Sequence, residues 1–117
     1  MAAGSLHERL DQLDTAASLN NLALVVREQG DLDGARRLHE RALAIREARL
    51  GADHPNTATS LSNLASVLAD QGDLKDARTL QERVLAIREA RLGVDHPDTV
   101  RSRRNLTAVV DQLKSRS

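Results

Sequence analysis

The sequence has no cysteine, phenylalanine, tryptophan or tyrosine, and only two prolines. Without cysteine there is no disulfide scaffold, no thiolate metal site and no cysteine nucleophile. A reducing compartment suits such a chain, so a cytoplasmic location is expected. Without aromatic rings there is no stacking platform for bases, no aromatic cage for a cation and no aromatic groove for a proline-rich ligand. Neither sign of charge is in excess, with 17 Lys and Arg against 17 Asp and Glu. Nucleic-acid and membrane-surface proteins carry a basic excess, so neither nucleic acid nor membrane is an expected partner. No run approaches the roughly 18 apolar residues of a membrane span. The opening MAAGSLHERLDQLD lacks the apolar core of a secretory signal.

What remains is a chain of 117 residues, the length of one domain or of a fragment of one. Its aliphatic content is 19 Leu, 17 Ala, 8 Val and 2 Ile. Leu and Ala lead the helix-propensity scale, and two prolines interrupt little, so an all-α protein is expected.

Displacing the chain by 42 residues lays Thr15–Asn56 on Thr57–Asp98 with 29 identities in 42 positions. A third copy begins at Thr99 and retains Ser102, Asn105 and Leu106. Self-similarity at such a period is the mark of a stacked repeat architecture. The chain divides into an N-terminal extension at 1–14, a first repeat at 15–56, a second at 57–98 and a partial third at 99–117 that serves as a capping helix.

Each unit has two halves. The first half places Leu19, Leu22, Ala23 and Val26 at spacings of 3, 1 and 3, a helical face. Gly30 and Gly72 follow, where a left-handed C-terminal cap is expected, and Asp31 and Asp73 are suited to cap the next helix. In the second half Leu32, Ala35, Leu38, Ala42, Leu43, Ile45 and Leu50 keep a period near 3.6. Glu40, Arg41, Arg46 and Glu47 are expected on the outside, paired between neighbouring turns. Gly51 and Gly93 stop the second helices. In the linkers GADHPN and GVDHPD the proline fits a first helical turn, and the Asp two residues earlier is expected to cap it. Helices are therefore expected at about 15–29, 32–50, 55–71, 74–92 and 97–114, the first starting as early as Ser5 because no Pro or Gly separates it from Leu6, Leu10 and Leu13.

Histidine and carboxylate chemistry is sparse. His54 and His96 each precede a proline, and stacked units would hold them about 20 Å apart, too far to share an ion. His39 falls at a packing position and His7 in the extension, neither with a ligand at metal spacing. The carboxylates lie among arginines on solvated faces, and no nucleophile has a base beside it. The six glycines form no phosphate loop. No cofactor, no metal and no catalytic residue is expected; the chain reads as a non-enzyme.

A helix–turn–helix unit with NLA, QG-D-L, A-R, ER-L-I-R-E and LG-x-DHP resembles the tetratricopeptide repeat, in the variant with a longer second helix found in kinesin light chains and bacterial tandem arrays. The resemblance covers about Thr15 to Leu113 and implies a right-handed α-solenoid of antiparallel helix pairs, with two full repeats and a terminal helix. It departs from the family at packing sites usually held by aromatics. These are Leu19, Val26, Leu32 and His39 in the first unit and Leu61, Leu68, Leu74 and Gln81 in the second, so close contacts are expected at Ala23, Ala35, Ala65 and Ala77.

The same resemblance implies a protein-interaction module whose concave groove binds a peptide or partner helix. Asn21, Asn63 and Asn105 recur at one register, and an amide can pair with both groups of a peptide backbone. The groove implied by resemblance also takes Asn20, Leu24 and Arg27 from the first unit, Ser62, Ser66 and Asp70 from the second, and Arg101 and Arg104 from the third. These arginines favour an acidic partner. Groove positions differ between copies, as at Asn20 and Ser62 or Leu24 and Ser66, whereas linkers barely change.

The alternative is a structural or self-assembling repeat unit, a fragment of a longer array or a designed repeat, that oligomerises through its exposed ends. Leu6, Leu10 and Leu13 at one end, and Leu106, Val109, Val110 and Leu113 at the other, lack a neighbouring repeat to cover them. A homodimer or end-to-end assembly through these residues is the expectation on that reading.

Overall fold

The computed structural model describes residues 6–116. These form five helices and no strand: α1 (Leu6–Glu28), α2 (Leu32–Leu50), α3 (Pro55–Asp70), α4 (Leu74–Leu92) and α5 (Pro97–Arg116). Consecutive helices pack against each other, and α1 also touches α3. The molecule is a stack of antiparallel helix pairs, with α1, α3 and α5 as the first helices of successive units and α2 and α4 as the second. Of the expected N-terminal extension at 1–14, residues 6–14 are the opening of α1, and residues 1–5 lie outside the described residues.

The turns inside the units follow the expected chemistry. Gly30 and Gly72 adopt φ of +89° and +86°. Gly30 N donates to Arg27 O, and Asp31 N to Val26 O; the same pair recurs at Gly72 to Ala69 and Asp73 to Leu68. This reversal satisfies carbonyls that the helix end leaves free and needs the left-handed conformation open to glycine. Asp31 then accepts from Gly34 N at 2.8 Å and Asp73 from Asp76 N at 3.4 Å, capping α2 and α4.

The linkers between units are corrected in one respect. The cap of α3 is His54, not Asp53, and the acceptor is the ring Nδ1, which takes the N–H of Asn56 at 3.0 Å. His96 does the same for Asp98 N at 3.1 Å. With proline as the first helical residue, the capping position falls on the residue next to it, and the imidazole is long enough to reach the second helical N–H. Both rings thus accept at Nδ1.

The core is built from small and aliphatic side chains in contiguous clusters. Ala23, Ala35 and Val67 join the first unit to the second, while Leu64, Leu68, Leu74, Ala77 and Val109 join the second to α5. Ala58, Leu61, Val84 and Ile87 hold α3 on α4. Ala23, Ala35, Ala65 and Ala77 are all buried, so close backbone approach replaces aromatic bulk. Leu22 departs from its expected face: it is 50% exposed, whereas its counterpart Leu64 is 7% exposed. The difference arises because α2 lies against α3, and no described helix occupies the corresponding side of α1.

Candidate functional site

The first helices carry the candidate groove residues, and the 42-residue repeat places Asn21, Asn63 and Asn105 at the same turn of α1, α3 and α5. Asn21 is exposed, and Asn63 and Asn105 are half-buried. Around them Leu24, Arg101 and Arg104 are exposed, and Ser62 and Ser66 are half-buried. Ser66 Oγ donates back to Ser62 O at 3.2 Å, which ties that hydroxyl to its own helix.

Two groove candidates are held by each other. Arg27 Nε and Nη2 both donate to Asp70 Oδ2, at 2.7 and 2.6 Å, so the cation of α1 is neutralised by the carboxylate of α3. Arg101 lies 3.5 Å from Asp98 one turn earlier. Arg104, exposed, is the cation of this face that neither pairing neutralises.

Asn20 belongs elsewhere. It is 6% exposed and faces the interior between helices. Its Nδ2 donates to Ser60 Oγ at 3.4 Å, and its Oδ1 faces His39 Nδ1 at 3.1 Å. An amide oxygen only accepts, so His39 carries its proton on Nδ1 and leaves Nε2 bare and buried. Burial first, and the charge of Arg27 second, push the His39 pKa below its ordinary value. Four polar side chains from three helices form one network, because Ser60 Oγ also accepts from Arg46 Nη1 at 3.1 Å.

Arg46 corrects a second expectation. It does not lie outside paired with a neighbouring turn; it crosses from α2 to α3, donating to Asn56 O as well as to Ser60. Arg88 repeats the contact 42 residues on, with Asp98 O and Ser102 Oγ, and is buried. Burial lowers the pKa of both guanidinium groups, although each stays charged. Glu47 likewise pairs across units with Arg83 at 3.3 Å; within the second helices, Arg36 pairs with Glu40 and Arg78 with Glu82 between neighbouring turns. The signal for the crossing arginines lay in the sequence, in an AIRE segment unchanged between copies and a recurrent Ser fourteen residues after its arginine.

The end contacts sort into two groups. Leu6 and Leu10 are exposed and Leu13 is half-buried. In α5, Val109 is buried with Leu64, Leu68, Leu74 and Ala77, and Leu113 packs against that cluster. Val109 and Leu113 are therefore occupied within the chain, and Leu106 and Val110 are half-buried. The expectation of a free apolar end on α5 is narrowed accordingly.

Two recesses lie off the groove. One, of about 420 Å³, is lined by Gly72, Asp73, Leu74, Lys75, Leu113 and Arg116. The other, of about 330 Å³, lies between Asp53 and the Arg83–Arg91 stretch of α4. Among the described residues no group of three His, Asp or Glu side chains could hold a metal ion, and no helix is long and apolar enough to cross a membrane.

Helix pairs of this length, joined by glycine turns and stacked through recurrent polar and alanine contacts, define a helical repeat protein. The tetratricopeptide repeat pattern matches residues 14–90 and, overlapping, 60–116, so the chain belongs to the tetratricopeptide repeat family. Among solved structures it is similar to a Podosopora anserina protein assigned as a kinesin light chain with nearly identical TPR-like repeats. The TM-score is 0.75 at 30% identity over 80% of this chain and 44% of that one. A substituted form of the same protein gives the same values. The chain thus spans less than half the length of that relative. Among curated proteins no match is found. Repeats of this family are generally protein-interaction modules.

Proposed function

We propose that the chain is a non-enzymatic interaction module that binds a peptide or partner helix along the face carrying Asn21, Asn63 and Asn105. The observation behind this reading is a contrast between neighbours. Asn20 is buried and its amide is engaged. Among the described residues the side chains of Asn21, Asn63 and Asn105 make no hydrogen bond within the chain, although the same residue recurs at the same turn of three helices. Amides in that position offer two donors and an acceptor to an extended backbone. Arg104, with Arg101 beside it, favours an acidic ligand, and Arg27 contributes little while Asp70 holds it.

Isothermal titration against a library of acidic peptides tests the reading. Binding that weakens with salt and is lost in Asn63→Ala and Arg101→Ala supports it. Hits indifferent to both substitutions would place the site elsewhere.

The second reading is self-assembly through the ends, and the exposed Leu6 and Leu10 favour it. Light scattering coupled to size exclusion separates the two: a mass of two chains that falls to one in Leu6→Asp and Leu10→Asp supports assembly.

A further inference from the structure

Besides the asparagine, four positions of the first helix are identical in all three copies: Thr15, Ser18, Leu22 and Val25 match Thr57, Ser60, Leu64 and Val67, and match Thr99, Ser102, Leu106 and Val109. In α3, Ser60 is bonded by Arg46 of α2 and Val67 packs with Ala35 of α2; in α5, Ser102 is bonded by Arg88 of α4 and Val109 packs with Leu74 and Ala77 of α4. Thr57, Ser60, Thr99 and Ser102 are fully buried, as is Val67. In α1 the same four side chains are exposed, with Leu22 and Val25 each at 50%. The core does not account for them, because Ala16, Leu19, Asn20 and Ala23 take the buried side of α1.

Both covered copies show what sits on this face. It is an antiparallel helix whose arginine donates to the Ser hydroxyl and to the carbonyl four residues before it, as Arg46 does to Ser60 and Asn56 and Arg88 does to Ser102 and Asp98. A leucine of that helix, Leu43 in α2, packs against the clusters of Leu61 and Leu64. The equivalent acceptors on α1 are Ser18 Oγ and the carbonyl of Asp14. The face also runs on past Thr15 to Asp11, one turn towards the N-terminus, so the half that would meet the arginine-rich end of such a helix is acidic.

A covering helix cannot join α1 as α2 joins α3. That linker occupies residues 51–54, and the corresponding residues 9–12 are helical, inside α1. We infer that the Thr15–Ser18–Leu22–Val25 face of α1 docks an amphipathic helix from a partner polypeptide, of the α2 kind: a Leu, Ile and Ala stripe with one arginine placed to reach Ser18. Asn21 borders this face, a turn from Ser18 and from Val25, but the inference stands on Ser18, Leu22 and Val25 and its test does not depend on the peptide-binding reading.

The probe is a synthetic peptide with the sequence of Leu32–Gly51, titrated into the ¹⁵N-labelled full chain. Saturable shifts centred on Ser18, Leu22 and Val25 are expected. Binding should weaken by about tenfold or more in Leu22→Asp and in Val25→Asp, since each buries an aliphatic side chain. A peptide with Arg46→Ala should bind several-fold more weakly, and this arm leaves the protein unaltered. No shift at about 1 mM peptide, near the weakest affinity worth assigning, overturns the inference. So does binding indifferent to Leu22→Asp and to Arg46→Ala. A dimer of the full chain that Leu22→Asp abolishes would assign the face to a second copy and overturn the partner helix.

Discussion

The guanidinium of Arg88 donates to the hydroxyl of Ser102 over 2.7 Å, fourteen residues ahead and one helix further along the stack. Arg46 and Ser60 form the same bond between the first and second units. These bonds fix the register of each first helix on the helix before it, because an arginine has the reach and the donor number to hold a hydroxyl and a carbonyl together. Alanine at 88 leaves Ser102 with a donor removed and strips an aliphatic stem from the interface. Arg88→Ala is expected to cost about 1–3 kcal/mol in urea unfolding. Ser102→Ala in the Arg88→Ala background should cost less than Ser102→Ala alone. Additive losses would show that the two residues act independently.

His39 supplies a pH dependence. Its folded pKa lies below the ordinary value near 6.5, through burial and then through Arg27. Below pH 6.5 the unfolded chain therefore binds a proton that the folded chain resists, and stability falls as pH drops; above pH 6.5 the contribution is complete. Melting temperatures between about pH 7.5 and pH 5 should drop more steeply for the natural chain than for His39→Gln, whose replacement is the residue found at position 81. Parallel curves would remove His39 from the account.

Gly30 turns the chain between α1 and α2 at φ +89° with open space around a would-be Cβ. Alanine there meets no neighbour, so its cost is that of the left-handed backbone alone. A loss of about 1–2 kcal/mol is expected for Gly30→Ala. An equal loss at Gly72→Ala, where Arg116 Nη1 is the nearest atom at 3.8 Å, would confirm that the backbone and not a contact sets it.

Arg27 and Asp70 are each about one-third exposed, and solvent screens them. A double-mutant cycle on this pair should give a coupling of about 0.2–1 kcal/mol that shrinks in high salt. A coupling unchanged by salt would mean that packing, not charge, links α1 to α3 there.

The sequence alone determined the period, the helix content, the glycine turns and the alanine contacts. Each of these is local or repeats with the period: a helix face, a positive φ or a small side chain announces itself in the order of residues. It also marked Asn21, Asn63 and Asn105 as equivalent by their register in the repeat. What it left undecided was direction. Asn20 and Asn21 are neighbours in sequence, yet one lies between helices bound to His39 and Ser60 and the other faces outward. Arg46 and Arg41 look alike in the repeat, yet Arg46 crosses to α3 while Arg41 is exposed. His54 took the capping place expected of Asp53, since the position beside the proline, not the residue's habit, set the geometry. Leu22 and Leu64 are the same residue at the same register, and only the helix packed beside one of them separates an exposed side chain from a buried one. A long side chain at the edge of a helical stripe has partners within reach on either side, and the choice is made when the neighbouring helix arrives.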